Sequence, residues 1–452
     1  MIIEKLGGEG VGIGHLDGKT IFVPFGVPGD DVVVDILADK KSYARAVIHE
    51  IKTPSPDRIA PRCRYFGSCG GCAHQNIAYE KQCHHKHVLL EEIYRHTVAK
   101  GVPVAPVRPS AMQFGYRNKM QLQCAPQRKK LIAGFYKRAT RDIIEIRNCP
   151  LHSDAANALA QDVVRLLNEF RVPAFDTKEK RGVVRDIVIR ESTKSKQMLL
   201  TLVLFAERFD LTKISKILFK RHSMLAGFYS FYNPYDTEYV FKGGGQMPSG
   251  SRHSPLTKVY GDIIDDEIAG IRFSISPLTF FQVNAGQAAA MISFIADIIG
   301  TCDTLVDAHA GVGTLSLPLA AKCGQVIAIE TNRESTRYAK ENALNNRIRN
   351  YHVRCGSDHE ELAKWADKAG ADAIAKTVLL LDPPRAGLSN EMRDFLRSLP
   401  FQRIIYVACD PYTQSRDIDA IVTGGFHVEQ IVPFDMFPHT FHIETVAVLA
   451  RN

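Results

Sequence analysis

The chain has 452 residues, 45% hydrophobic and 23% charged, which exceeds one ordinary domain and suits two or three globular cores rather than a disordered or fibrous chain. No run of about 18 apolar residues occurs, which excludes an obvious spanning helix, and the opening MIIEKLGGEG lacks the charged start, apolar middle and cleavage site of a secretion signal. A cytoplasmic chain without membrane partners is therefore expected, and its ten cysteines read as thiols, metal ligands or catalytic groups rather than disulfides.

The formal charge of +8 is unevenly placed: residues 63–149 hold 15 Lys and Arg against 5 Asp and Glu, leaving about −2 for the remainder. Such a block suits a polyanion, because phosphate neutralisation dominates nucleic-acid affinity; a solvated basic face is the plain alternative. Residues 1–55 alternate in short strands divided by Gly, Asp-Gly and Pro-Gly turns, up to the breakers in TPSPDR. A small antiparallel β-barrel of the OB-like kind, which commonly binds single-stranded nucleic acid, is expected there. With 8 basic against 9 acidic groups over residues 1–62, it would orient a strand rather than attract one.

Residues 56–270 read as a central α+β domain, with a helix over 73–96 and strands in MQLQC, LIAGFY, RDIIEI, VVRDIVIRES, KQMLLTLVLF and MLAGFYSFYN. A flexible loop is expected at Lys242–His253. At the start of this segment Cys63, Cys69 and Cys72 stand as C-x5-C-G-G-C, and Cys149 follows in RNCPLH. Three local thiolates and one distant match the four sulfur ligands of a 4Fe-4S cluster. Structural zinc also takes four cysteines, but the paired C-x2-C knuckles are missing. Cys83, Cys124, Cys302, Cys323 and Cys355 show no such pattern and read as packing residues.

From 271 to 452 strands and helices alternate. TLVDAHA, VIAIE, VLLLDPP and RIIYVACD are continuously apolar, as in a parallel sheet buried on both faces. The glycine turn after TLVDAHA is expected to open a helix, and the tail supplies two strands for an antiparallel edge. Gly311, Gly313 and Thr314 in Leu305–Thr314 form a strand-to-helix turn, and Glu330 closes the next strand, where a carboxylate can accept from ribose hydroxyls. Lacking the third glycine of a dinucleotide site, the loop favours S-adenosylmethionine over NAD; a tight turn without ligand is the bland reading.

Cys409 in YVACDP ends a strand, where open α/β sheets bind ligands, although a lone cysteine is often an inert buried thiol. Uracil C5 is too poor a nucleophile to attack a sulfonium methyl unaided. A thiolate adding to C6 generates an enolate at C5, and a base must later remove the C5 proton. Cys409 is the candidate nucleophile and Glu444 in FHIETV the candidate base, its alternative being an ordinary edge-strand residue. Asp382 in LDPPRAG is held rigid by two prolines, and Gln282 in FFQVN carries an amide that suits uracil or the enolate oxygen.

Together these motifs resemble the RNA uracil-C5 methyltransferases of the RumA and TrmA type, in particular the cluster-bearing branch acting on 23S ribosomal RNA, over nearly the whole chain. The resemblance implies an N-terminal TRAM barrel, a cluster-bearing and RNA-binding central domain, and a C-terminal Rossmann-like methyltransferase domain. It implies Cys409 as nucleophile, Glu444 as proton acceptor, Gln282, Glu330 and Asp382 as pocket residues, and Cys63, Cys69, Cys72 and Cys149 as cluster ligands. His309 stands where relatives carry an aromatic near the cofactor, and Asp410 where Asn more often follows the nucleophile; a change in the thiol's pKa is the concern there. Asp358 in CGSDHEE resembles the residue contacting the adenine side. The expected partner is RNA, ribosomal before transfer RNA, and the expected state a monomer. A radical methylthiotransferase is opposed by the cysteine spacing, and a non-catalytic RNA-binding protein by the presence of both Cys409 and Glu444.

Overall fold

A computed structural model describes residues 1–97, 101–235, 240–241 and 255–452; the loop expected at Lys242–His253 lies outside them. The chain divides into two units, one of Met1–Gln113, Thr301–His309 and Asp358–Asn452, the other of Phe114–Gly300 and Ala310–Ser357. The fold is mixed α/β, and among the described residues no helix is long and apolar enough to cross a membrane.

In the first unit the N-terminal strands order as Lys5–Leu6, Val11–Leu16, Lys19–Pro24, Tyr43–Thr53 and Asp31–Asp39. Alternation turns Ile21 and Val23 inward to meet Ile3, Val32, Ala44 and Ala46 in a small core. Main-chain bonds from Ile3 N to Asp30 O (2.9 Å) and Val32 N to Met1 O (2.8 Å) join the first residues to the last strand of this sheet. One seam departs from the antiparallel expectation: Lys19–Pro24 runs parallel to Tyr43–Thr53. The whole of Asp31–Asp39 intervenes in sequence, giving the connection a parallel pair requires.

The helix expected over 73–96 starts later, at Tyr79, and ends at Arg95. The backbone before it is used elsewhere: the amides of Ala73 and His74 both donate to His439 O at 3.0 Å, and Ile77 bridges to Arg58. Three parallel strands follow, Cys302–Asp307, Thr377–Leu381 and Arg403–Ala408. Beyond them Glu444–Arg451 and Phe426–Phe434 add the antiparallel edge that the tail suggested. Every residue of Thr377–Leu381 is buried, which is why the strand carries no alternation. The segment at Val104 and Arg108 bridges to Ile431 and Phe434 and covers the outer edge.

In the second unit a seven-stranded sheet runs in the order Leu256–Gly261, Leu225–Tyr232, Met198–Leu204, Val184–Glu191, Lys119–Gln127, Lys130–Tyr136 and Ile143–Glu145. Helices Asp154–Glu169 and Thr212–Arg221 pack on one face, burying Leu159, Val163 and Leu218 against Leu122, Leu200 and Phe228. This unit also holds the hairpin Ile264–Ile268 and Ile271–Ile275 and the parallel pair Cys323–Glu330 and Tyr351–Cys355. The helix expected after the glycine turn does not form. Residues 311–319 are successive turns ending in the short 3-10 helix Ala320–Lys322, because Pro318 has no N–H to donate and interrupts the ladder.

Candidate active site

Cys409 follows the strand Arg403–Ala408 and precedes the helix Pro411–Val422. Asp410 caps that helix, accepting from Tyr412 N at 3.0 Å and Thr413 N at 3.3 Å, with Pro411 in the first turn. The concern that Asp410 alters the thiol has a structural answer, since one of its oxygens is committed to the helix N-terminus. The thiol is governed by other groups. Burial pushes Cys409 up to about 11, Glu444 and Asp382 push the same way, and the Arg385 guanidinium pulls it back.

Glu444 opens the strand Glu444–Arg451 and is 5% exposed. Burial and then the neighbouring Asp382 raise its carboxyl well above the usual range, against Arg385. Asp382, one residue past the strand Thr377–Leu381, is pushed up to about 7 by burial, with His309 lowering it and Asp307 raising it. Two carboxyls, a thiol and one guanidinium thus share a corner. With like charges this close, the carboxyls take their protons up and release them as a set.

Arg385 of the LDPPRAG motif brings a positive charge to this corner. Its Nη2 lies 3.2 Å from His442 Nδ1. The loop that carries it is pinned by Asp417, which is fully buried, accepts from Leu388 N at 2.8 Å and Tyr406 Oη at 2.7 Å, and pairs with Arg393 at 2.6 Å. Gly387 has φ +76°, and a Cβ there would come within 2.4 Å of Asp417 Oδ2, so glycine is required on both counts.

Above Cys409 opens a cavity of about 280 Å³. Its walls come from Gly7–Glu9 of the barrel, His85 and Lys86 of the helix Tyr79–Arg95, and Phe441–Ile443. Lys86 is buried, pairing with Asp435 at 2.7 Å and donating to His442 O at 2.9 Å. Tyr412, 54% exposed, stands at the mouth, close enough to Gly8 that an added Cβ would lie 3.2 Å from its hydroxyl.

The expected cofactor residues fall into two groups. In the first unit His309 Nε2 lies 3.1 Å from Asp358 Oδ2, and Asp358 begins the helix Asp358–Ala369; the imidazole is tied to a carboxylate rather than placed as a free stacking ring. In the second unit Gly311 has φ +56° and donates its N–H to Glu330 Oε2 at 3.0 Å. Glu330 Oε1 accepts from Asn332 N at 2.6 Å. The carboxylate therefore shapes the glycine turn. Gly313, at φ +89°, leaves no room for a Cβ, which would sit 2.5 Å from Leu317 Cδ1, and Thr314 is buried beside it. Gln282 is 7% exposed, and Asn118 Nδ2 donates to its carbonyl at 2.9 Å.

The cysteine loop has two sulfurs with donors: Gly71 N to Cys69 Sγ at 3.4 Å and Gln75 Nε2 to Cys72 Sγ at 3.3 Å. The same Gln75 accepts from Cys63 N at 3.0 Å. Half-buried thiols with N–H groups aimed at them suit thiolate ligands. Among the described residues no group of three or more His, Cys, Asp or Glu is assembled around a metal-sized space. Of the remaining cysteines Cys124 and Cys323 are buried as expected, but Cys355 is exposed and is not a packing residue.

Comparison with known proteins identifies the family. Residues 269–452 match the family model of tRNA (uracil-5-)-methyltransferases, and residues 1–56 match the TRAM domain of tRNA (uracil(54)-C(5))-methyltransferases. An uncharacterized RNA methyltransferase of Listeria monocytogenes is 31% identical, the alignment covering 100% of this chain and 97% of the relative. One of Thermotoga maritima is 29% identical over 100% and 98%. The crystal structure of a Pyrococcus abyssi tRNA (uracil-54, C5)-methyltransferase with S-adenosyl-L-homocysteine shares the fold, with TM-score 0.77 and 24% identity over the full length of both chains. The chain belongs to the RNA uracil-5-methyltransferase family with an N-terminal TRAM domain. It is an S-adenosylmethionine-dependent methyltransferase acting on RNA.

Proposed function

We propose that this enzyme methylates C5 of one uridine in 23S ribosomal RNA through a covalent bond between Cys409 and C6. The observation that carries the proposal is the corner of Cys409, Glu444, Asp382 and Arg385 beneath a cavity large enough for a base. Arg385 favours the thiolate form against burial and two carboxyls. Cys409 adds to C6, and the electron pair moves to C5 and O4. S-adenosylmethionine supplies the methyl group as an electrophile. Glu444 then takes the C5 proton, and the thiolate leaves as the ring double bond returns. A carboxylate with raised proton affinity is a stronger base than free glutamate, which this last step needs. Gln282, His309, Gly311, Gly313, Thr314, Glu330, Asp358 and Asp382 are assigned to the cofactor, with Asp382 and Gln282 also suited to the base edge.

The ribosomal reading rests on the resemblance of Cys63, Cys69, Cys72 and Cys149 to the ligands of the cluster-bearing branch. These thiolates would hold a 4Fe-4S cluster with a structural and RNA-positioning role, since methyl transfer needs no electron from it. We place residues 1–55, 56–270 and 271–452 as barrel, cluster-bearing RNA-binding segment and catalytic domain of a cytoplasmic monomer. A transfer RNA substrate is the second reading, favoured because both matching family models describe tRNA enzymes. Mapping 5-methyluridine in ribosomal and transfer RNA from cells lacking the gene decides between them: a site lost from transfer RNA alone overturns the ribosomal reading. A 5-fluorouridine RNA that gives no protein-linked product at Cys409 overturns the covalent route.

A further inference from the structure

The central sheet carries a second cavity, about 480 Å³, sharing no lining residue with the one above Cys409. On the strand Lys119–Gln127 the residues Met120, Leu122 and Cys124 enter the core, so Gln121 and Gln123 take the opposite face. Gln123 stands opposite Asp186, and Gln121 opposite Val188, on the adjoining strand. Two amides and a carboxylate therefore share one wall of the cavity.

Asp186 is the unusual member. It is 6% exposed, and among the described residues no donor hydrogen-bonds its carboxylate. Burial pushes it up to about 6, while Arg185 and Lys119 pull the other way. A buried carboxylate without donors is costly unless a ligand supplies them. Phe175, stacked on Phe205 at 4.3 Å with the Arg185 guanidinium 5.4 Å from its ring, gives the cavity an aromatic side. The rim carries Arg141 and Lys178, both exposed, together with the carboxylates of Asp142 and Asp176.

A carboxylate is matched by two adjacent donors on a planar group. Guanine presents N1–H and the N2 amino group side by side; adenine and cytosine offer an amino group beside an acceptor, and uracil a single N–H between two acceptors. We propose that this cavity takes a guanine base of the RNA substrate, its N1–H and N2 amino group donating to Asp186, with Gln121 and Gln123 for its remaining polar edge. The inference rests on the RNA-methylating reading and adds a recognition site that the methyl-transfer chemistry does not itself require.

The test uses the full-length protein and fluorescently labelled single-stranded oligouridylates carrying one central guanosine, inosine or adenosine, with affinity read by anisotropy. Inosine lacks only the N2 amino group. Wild type is expected to bind the guanosine oligomer about tenfold tighter than the inosine one, the size of one bidentate base contact. Asp186→Asn, which keeps the shape but loses one acceptor, is expected to bind both alike, while Gln123→Leu with Asp186 intact keeps the guanosine over inosine preference at reduced affinity. Equal binding of guanosine and inosine by wild type overturns the proposal, as does an unchanged preference in folded Asp186→Asn. Methyl transfer from S-adenosylmethionine to total RNA of cells lacking the gene is measured in parallel. Transfer without guanosine preference sinks only this inference, whereas preference without transfer sinks the functional reading.

Discussion

The cavity above Cys409 and the cavity on the central sheet each sink a carboxylate into the protein, and they treat it in opposite ways. At Glu444 the buried group faces other titratable groups, Asp382, Cys409 and the Arg385 cation, so protons can be redistributed within the corner. At Asp186 the two nearby cations make no hydrogen bond to it, and the wall beside it is built of neutral amides. Interacting acids suit a site that moves protons, while a solitary carboxylate suits one that waits for donors.

Cys409→Ala should lower methyl transfer by at least about 10⁴-fold, since losing a nucleophile removes the route rather than tuning it; labelled methyl incorporation into RNA measures it. Glu444→Gln should slow turnover by about 10²- to 10⁴-fold and let the Cys409–RNA adduct accumulate, visible as a shifted band on a denaturing gel. If that variant turns over normally, the proton acceptor is elsewhere.

The pH profile sharpens the contrast. Both Asp382, near 7, and Cys409, near 11, are raised, so the reactive ionised forms grow as pH rises, and the rate should climb from pH 6 to pH 9. Arg385→Ala removes a cation that lowers the thiol, so its profile should move to higher pH. A profile that stays in place would show that Arg385 does not govern the thiol.

The smallest effect concerns stability at Asp186. Its folded pKa, about 6, lies above the ordinary 3.8, so the folded state binds the proton more tightly and wild type loses stability as pH rises between those values. Asp186→Asn should therefore be more stable than wild type by about 1–3 kcal/mol at pH 7.5 and nearly equal to it at pH 4, read from thermal melts at both. A variant less stable at pH 7.5 would mean that Asp186 already has a favourable partner.

Some of this was written in the residues themselves. Continuously apolar strands announced the parallel sheet at Thr377–Leu381 and Arg403–Ala408 because burial on both faces leaves no room for polar alternation. Cys409, Glu444, Asp382 and the glycines at 311 and 313 stood out through type and spacing. Other features depend on which segments meet in space. The late start of the helix at Tyr79 follows from His439, more than three hundred residues on, accepting the amides of Ala73 and His74. Asp410, which the motif left as a doubt about the thiol, became a helix cap once the turn into Pro411 was formed. Arg385 gained its role beside Cys409 from the buried Asp417 that fixes its loop. Nothing in VVRDIVIRES set Asp186 apart from its other charged residues, and only the neighbouring strand that brings Gln123 opposite makes it a wall of a cavity. Sequence decides what each segment buries and which chemical groups it carries. Which charges become neighbours, and therefore how firmly each holds its proton, was decided only by the tertiary structure, because electrostatic interaction depends on distance and burial and not on separation along the chain.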